Sequence, residues 1–377
     1  MKPCPVSFAW QPGAFSGYRT GVSLHSHTSH SRETLDFIPR FCAAIPPLAA
    51  ALRRYEARYR RLHGRELDYG AAWWTPPLGP REALSVERAQ IESRCLAPLV
   101  SITDHDNVEA PMLLRILSES RETPVGVEWT VPWRGTTFHI GVHNLPPRSA
   151  AARMEELARF TARPHEALLP GLLDWITDSP DTLVVFNHPF WDEKGRGRAF
   201  HISRAEEFLR IHRPWIHGLE LNGLRPWSEN QRIIELAESR EIPYVSGGDR
   251  HCCEPNALLN LTSAATFSEF TEEVRADGMS RVVLMPQYRE PMTSRILASI
   301  ADVMRDNAEH THGWTRWSDR VFFRRSDSSI DPLSAAFPSG REPSVIRLFV
   351  LFSRLLDDQR LRWAMRGLGQ PAREFES

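Results

Sequence analysis

The stretch GVSLHSHTSHSRE, residues 21–33, decides how this chain is read. A short apolar run ends in His25 and His27, and Glu33 follows six residues later. Residues i and i+2 of a strand project to the same face, so two imidazoles set this way can hold one cation together. A lone His-x-His says little, because histidines near strand ends are common. The pattern gains weight from six later segments of the same form, each an apolar run ending in metal-ligand residues: SITDHDN, VGVEW, FHIGVH, VVFNHPFW, GLELNG and VSGGDRH.

Between residue 21 and about residue 286, short apolar runs alternate with longer amphipathic ones. Strands are expected at 22–25, 99–103, 125–128, 137–142, 183–187, 218–221, 244–246 and 281–284. Helical patterns lie between them, at 150–161, 166–177, 203–212 and 229–240. Such alternation implies βα units and a largely parallel sheet. In that architecture the loops after the strand C-termini gather on one face and hold the site. Residues 46–94 break the rhythm with two Arg- and Glu-rich helical stretches around the linker AAWWTPPLGP. They are expected to form a helical insertion beside the site, either a lid or a substrate-selecting wall. Residues 290–377 are expected to form a C-terminal helical extension that closes with an amphipathic helix at 345–366. That helix would dock on the body of the protein or serve a homo-oligomer.

Composition narrows the classes. The 377 residues fit two or three domains, or one α/β barrel with appendages. A net charge of −1 gives no basic field calling for nucleic acid. Lys2 and Lys194 are the only lysines among 46 basic residues, so one arginine near a motif is weak evidence for anion binding. Five scattered cysteines suit neither a disulfide framework nor a paired C-x-x-C zinc site. Prolines occupy the N-terminal region where a signal peptide needs its apolar core. The longest apolar runs are too broken to span a bilayer. The expectation is a reduced, cytoplasmic protein with no membrane partner.

Taken together, His25-x-His27-Thr28, Thr103-Asp104-His105, Gly126-Val127-Glu128, His139, Asn187-His188-Pro189, Glu220 and Gly248-Asp249-Arg250-His251 resemble the PHP family. That is the polymerase and histidinol phosphatase group of metal-dependent phosphoesterases. The resemblance covers roughly residues 21–286 in the right order. It implies an α/β fold, a distorted seven-stranded (β/α) barrel over residues 1–289. It also implies two or three divalent ions (Zn, Mn or Fe) at the strand C-terminal face. By position, His25, His27, Glu128 and Asp249 would hold the first ion. Glu128 would bridge to a second, completed by His139 and His188. His105, His251 and Glu33 would hold a third, with Glu33 standing where family members often carry His.

The expected chemistry is phosphatase action on a small phosphomonoester or nucleotide, by attack of a metal-bridging hydroxide on phosphorus. Asp104 or Asp249 would relay a proton, and Arg134 and Arg250 would orient the phosphate. Two alternatives stand beside this reading. One is an amidohydrolase-like hydrolase, which also opens with H-x-H but usually bridges its metals with a lysine; here only Lys194 falls in the region. The other is a metal-binding regulatory or scaffold module without turnover. Blander readings also hold for single residues. Asp104 and Asp106 can cap the following helix, His143 competes with His139, and Glu220 can neutralise an arginine. Cys252 and Cys253 read as buried small residues, and Trp73-Trp74 as core of the insertion or a stacking surface for a ring.

Overall fold

The computed structural model describes residues 6–43, 46–325 and 327–337, together with 347, 348, 350 and 351. The helix expected at 345–366 therefore lies almost wholly outside the described residues. In chain order the strands are β1 (Val6–Phe8), β2 (Thr20–Ser23), β3 (Glu33–Thr34), β4 (Ala72–Trp74), β5 (Ala97–Val100), β6 (Val127–Trp133) and β7 (Thr136–His143). They continue with β8 (Leu183–Asn187), β9 (Gly218–Asn222), β10 (Tyr244–Gly247), β11 (Leu258–Thr262), β12 (Val282–Leu284), β13 (Val321–Arg324) and β14 (Ile330–Pro332). They form three sheets, ordered β1-β12-β11-β2-β5, β10-β9-β8-β7-β6 and β14-β13-β4-β3.

The fold is mixed α/β, but less parallel than the alternation suggests. β2 pairs with β5, β8 with β9, and β9 with β10 in parallel. β6–β7, β7–β8, β2–β11 and β11–β12 are antiparallel. The reason is local at β6–β7. Only Arg134 and Gly135 separate the two strands, both at positive φ (44° and 82°), the geometry of a primed two-residue hairpin turn. A parallel pairing would need a crossover of a dozen residues. Among the described residues the ladders do not run into a closed seven-stranded barrel. Single bridges join the first two sheets: Ser26 with Arg250, Ile102 with Val125, and His105 with Glu128.

Strand alternation sorts side chains between core and site. Along β6, Val127, Trp129, Val131 and Trp133 enter the largest apolar cluster, against Leu157, Phe160, Leu173 and Phe208 of the covering helices. Glu128 faces the other way. A second cluster packs Val22 and Leu24 against Val185 of β8 and Val245 of β10, so the two large sheets share a core.

The segment expected as an insertion divides in two. Helix Pro46–His63 forms as its pattern suggests, and AAWWTPPLGP supplies β4, which pairs with both β3 and β13. Helix Pro80–Glu92 belongs to the core instead: its Ala83, Leu84 and Ile91 pack with Leu259, Leu261 and Val283. A Cβ on Gly21 would lie 2.8 Å from the Ile91 side chain, so this helix approaches β2 closely. No helix among the described residues is long and apolar enough to cross a membrane.

The packing makes a testable statement. Ile91→Ala should destabilise the protein by about 2–5 kcal/mol in urea unfolding, the cost of emptying a buried aliphatic site. A free-standing wall would lose about 0.5 kcal/mol or less.

Candidate metal centre

The site is assembled where the first two sheets meet. Residues 24–27 and 248–250 run side by side, with Gly248 N donating to Leu24 O, His27 N to Arg250 O and Arg250 N to His25 O. Three residues here hold left-handed backbone without being glycine: His25 (φ 63°), His188 (φ 25°) and Asp249 (φ 51°). Each costs on the order of 1–3 kcal/mol and persists only where the surroundings over-determine it. Close packing supplies that constraint. A Cβ on Gly247 would fall 1.6 Å from Glu220 Oε1, so only glycine leaves room for the Glu220 carboxylate.

Glu128, fully buried, stands at the centre. Its Oε2 lies 3.0 Å from His25 Nε2, 3.3 Å from His27 Nε2 and 3.4 Å from His105 Nδ1. Its Oε1 lies 3.1 Å from His188 Nε2 and 3.4 Å from His139 Nδ1, and accepts from Asn187 Nδ2 at 3.0 Å. Asp249 Oδ1 joins from the side, 3.6 Å from His25 Nε2, 3.7 Å from His27 Nε2 and 3.4 Å from His251 Nδ1. Glu33 Oε2 stands 3.4 Å from His105 Nε2 and 3.2 Å from His251 Nε2. The ligand-type atoms fall into overlapping groups, among them His25/His27/Glu128, His105/Glu128/His139 and His27/Glu33/His105/His251. These groups could hold divalent ions.

Two details bear on that fit. Glu128 Oε2 and His139 Nδ1 are buried without a hydrogen bond, whereas buried polar atoms normally have a partner. The donors are imidazoles and carboxylates without thiolate, the set that suits catalytic Zn, Mn or Fe.

Charge is dense here. Burial alone would lower the His25 pKa, but the charges of Glu128, Glu220 and Asp249 hold it well above the ordinary imidazole value. His105 is likewise held well above that value against burial by Glu33 and Glu128, and His251 is raised, chiefly by Glu33. Burial works against His139 too, yet Glu128 carries it to about 9. His27 moves the opposite way, lowered by burial and by His251. Burial would raise Glu128, Asp249 and Glu33, but the surrounding imidazoles bring all three well below the usual carboxylate range.

All nine residues expected as metal ligands converge on this cluster. Two of them do not sit at strand ends: Glu128 is the second residue of β6 and His139 the fourth of β7, because the hairpin runs on past the site. His143 turns away to Ser101 Oγ at 2.8 Å, and burial lowers it to about 3.

The expected substrate and proton-transfer residues fare differently. Arg134 sits at the hairpin tip, six residues and about 20 Å of strand beyond Glu128. There it pairs with Glu166 at 3.0 Å and with Glu207. Arg250 is buried in contacts with Glu87 and two backbone carbonyls. Asp104 faces Thr28, accepting from its N at 2.5 Å and its Oγ1 at 2.7 Å. It fixes the loop after His27 instead of facing the cluster. Trp74 stands beside the centre, its ring centroid 6.0 Å from that of His251.

Other residues complete the site, among them Glu220, whose role the sequence left open, and Glu193, which no motif pointed to. Glu220 pairs through Oε1 with His25 Nδ1 and accepts His188 N through Oε2 at 2.7 Å. Glu193 stands 3.5 Å from His139 Nε2 and is lowered to about 2: burial opposes the shift, and the His139 hydrogen bond and charge dominate it. Carboxylates behind metal-facing imidazoles fix ring orientation and tautomer. Arg225 Cζ lies over Trp191, 3.8 Å from its ring centroid, and Arg225 Nη2 stands 3.8 Å from Asp249 Oδ2. His139, His188, Asn187, Trp191 and Glu193 border a shallow recess. For Arg225 the sequence carried a signal, its place three residues after the end of β9, hidden by the abundance of arginine.

No family model and no curated relative matches the chain. Among solved structures, an amidohydrolase from Chromobacterium violaceum with bound sulfate and no metal is 17% identical, with a TM-score of 0.34. That likeness covers 47% of this chain and 84% of the other. A protein from Bifidobacterium adolescentis assigned as a metal-dependent phosphoesterase is 16% identical, with a TM-score of 0.32 over 53% of this chain and 91% of its own. At these scores neither likeness carries an argument, and the chemistry has to be read from the site.

Two outcomes follow. His139, carried to about 9, holds a proton at pH 7 that a metal ion must displace, so loading with Zn²⁺ should release protons and affinity should fall as pH falls. Calorimetry in buffers of different ionisation enthalpy measures that release, and none would contradict the charge state described. Gly247→Ala should push Glu220 off His25 and lower metal affinity about 10–100-fold.

Proposed function

We propose that this protein is a metal-dependent phosphoesterase of the PHP type, hydrolysing a small phosphomonoester or a nucleotide. The observation that carries the reading is the placement of Glu128, whose two oxygens serve two separate sets of histidines. That is what a bridging carboxylate requires. In this reading the ring β2-β5-β6-β7-β8-β9-β10, joined by the three bridges, is the distorted seven-stranded barrel of a catalytic unit spanning residues 1–289. Residues 290–377 are its extension.

His25, His27, Glu128 and Asp249 would hold one ion; Glu128, His139 and His188 a second; Glu33, His105 and His251 a third. When bound, such ions neutralise phosphoryl oxygens and make water a nucleophile near neutral pH. The chain's own residues do the rest. Glu220 keeps His25 Nδ1 engaged so that Nε2 faces the centre, and Glu193 does the same at His139 Nε2. Asn187 steadies Glu128 Oε1. Arg225, held over Trp191 beside Asp249, would meet a substrate anion.

The test is direct. Protein stripped of metal and reloaded with Mn²⁺, Zn²⁺ or Fe²⁺ should hydrolyse an aryl phosphate, and His188→Ala or Glu128→Gln should abolish turnover. Arg225→Ala should raise KM about 10–100-fold, the worth of a charged hydrogen bond. Metal uptake without cleavage of phosphomonoesters or diesters would favour a scaffold module. Cleavage of amides alone would favour the amidohydrolase reading.

A further inference from the structure

Glu87 lies in the middle of helix Pro80–Glu92 and is 0% exposed. No motif pointed to it. Its Oε1 accepts from Arg250 Nε at 2.8 Å, its Oε2 from Ser23 Oγ at 2.9 Å, and both oxygens lie 3.2 Å from Asn256 N. Arg250, 4% exposed, spends its other two nitrogens on backbone. Nη1 donates to Cys252 O at 2.7 Å and Nη2 to His27 O at 3.1 Å. One guanidinium therefore ties three segments: the helix, the carbonyl of a ligand-type residue on the first loop, and the chain just beyond His251.

The position of Arg250 gives these contacts direction. On either side of it, Asp249 Oδ1 stands 3.4 Å from His251 Nδ1 and His251 Nε2 stands 3.2 Å from Glu33 Oε2, so Asp249 and His251 both reach the cluster. Arg250 between them points the other way, into the protein. A planar fork with fixed donor directions sets the relative height of two strands more tightly than a flexible ammonium could. The Ser26–Arg250 bridge and the bond from His27 N to Arg250 O sit at the same level.

We propose that Glu87 and Arg250 form a positioning clamp that sets the 25–27 segment against the 249–251 segment, so that His27, Asp249 and His251 converge on one centre. The proposal rests on the metal-centre reading, in that these residues must be ligands. A buried ion pair is a poor source of net stability, and apolar replacement of both partners often leaves a fold intact. What the pair supplies is geometry.

Co²⁺ serves as the probe, since its visible spectrum reports coordination. Four forms of the full chain are compared: wild type, the double variant Glu87→Met/Arg250→Met, Arg250→Lys, and Leu173→Ala. The last loses core packing far from the clamp. The double variant should stay folded by circular dichroism, bind Co²⁺ about 10–100-fold more weakly and show altered bands. Arg250→Lys, which keeps the charge but loses the fork, should follow it. Leu173→Ala should unfold more readily yet bind as wild type does. Wild-type affinity and spectrum in both clamp variants would overturn the proposal, as would weakening in Leu173→Ala to the same degree. If the double variant does not fold, Arg250→Lys decides by the same criteria. A wild type that binds Co²⁺ but cleaves no phosphoester sinks the phosphoesterase reading and leaves the clamp to be judged by these affinities. A wild type that binds no cation overturns both.

Discussion

The structure depends on keeping one ionised carboxylate in a place that water does not reach. Glu128 is fully buried, and an isolated buried carboxylate would neutralise instead of staying charged. Five imidazoles stand within 3.4 Å of its oxygens, and against burial the charges of His25, His105 and His139 hold its pKa well below the usual carboxylate range. Those imidazoles come from the end of β2, the loop after β5, the middle of β7 and the end of β8. No local stretch of chain could supply them. Four separate strands must arrive with their registers correct, and the two large sheets must share a core for that to happen.

Around this centre the carboxylates divide their labour by position. Glu220 and Glu193 stand behind histidines, Asp104 secures Thr28, and Glu87 anchors Arg250. Each is an acidic residue beside one of the ligand-type histidines or the segments that carry them. The left-handed backbone at His25, His188 and Asp249 fits the same picture. Strain of that kind is sustained by the apolar packing beneath, where Val22 and Leu24 meet Val185 and Val245.

Much of the site was legible because metal ligands are few in kind and fall at the ends of apolar runs. His25, His27, His105, His139, His188 and His251, with Glu128 and Asp249, stood at or near the ends of such runs, and the family resemblance gave each its expected place. Arginines could not be placed this way. Arg134 and Arg250 lie near motifs in sequence, yet one caps a hairpin and the other is spent on Glu87 and backbone carbonyls. Arg225, which stands over Trp191 beside Asp249, follows a strand whose Glu220 reads as a ligand, a partner for a substrate hydroxyl or a charge that neutralises an arginine. The pairing direction of β6 and β7 was in principle readable from the two-residue turn Arg134-Gly135. Reading the flanking runs as separate βα strands obscured it.

By itself the sequence determined the ligand types, their order and the apolar runs that carry them, because strand periodicity and donor chemistry are local properties. Tertiary structure alone decided which oxygen of Glu128 faces which histidine, what Arg134, Arg225 and Arg250 each pair with, and that helix Pro80–Glu92 belongs to the core. Those outcomes depend on contacts between residues far apart in the chain, such as Glu87 with Arg250. Their sequence separation leaves no periodic trace.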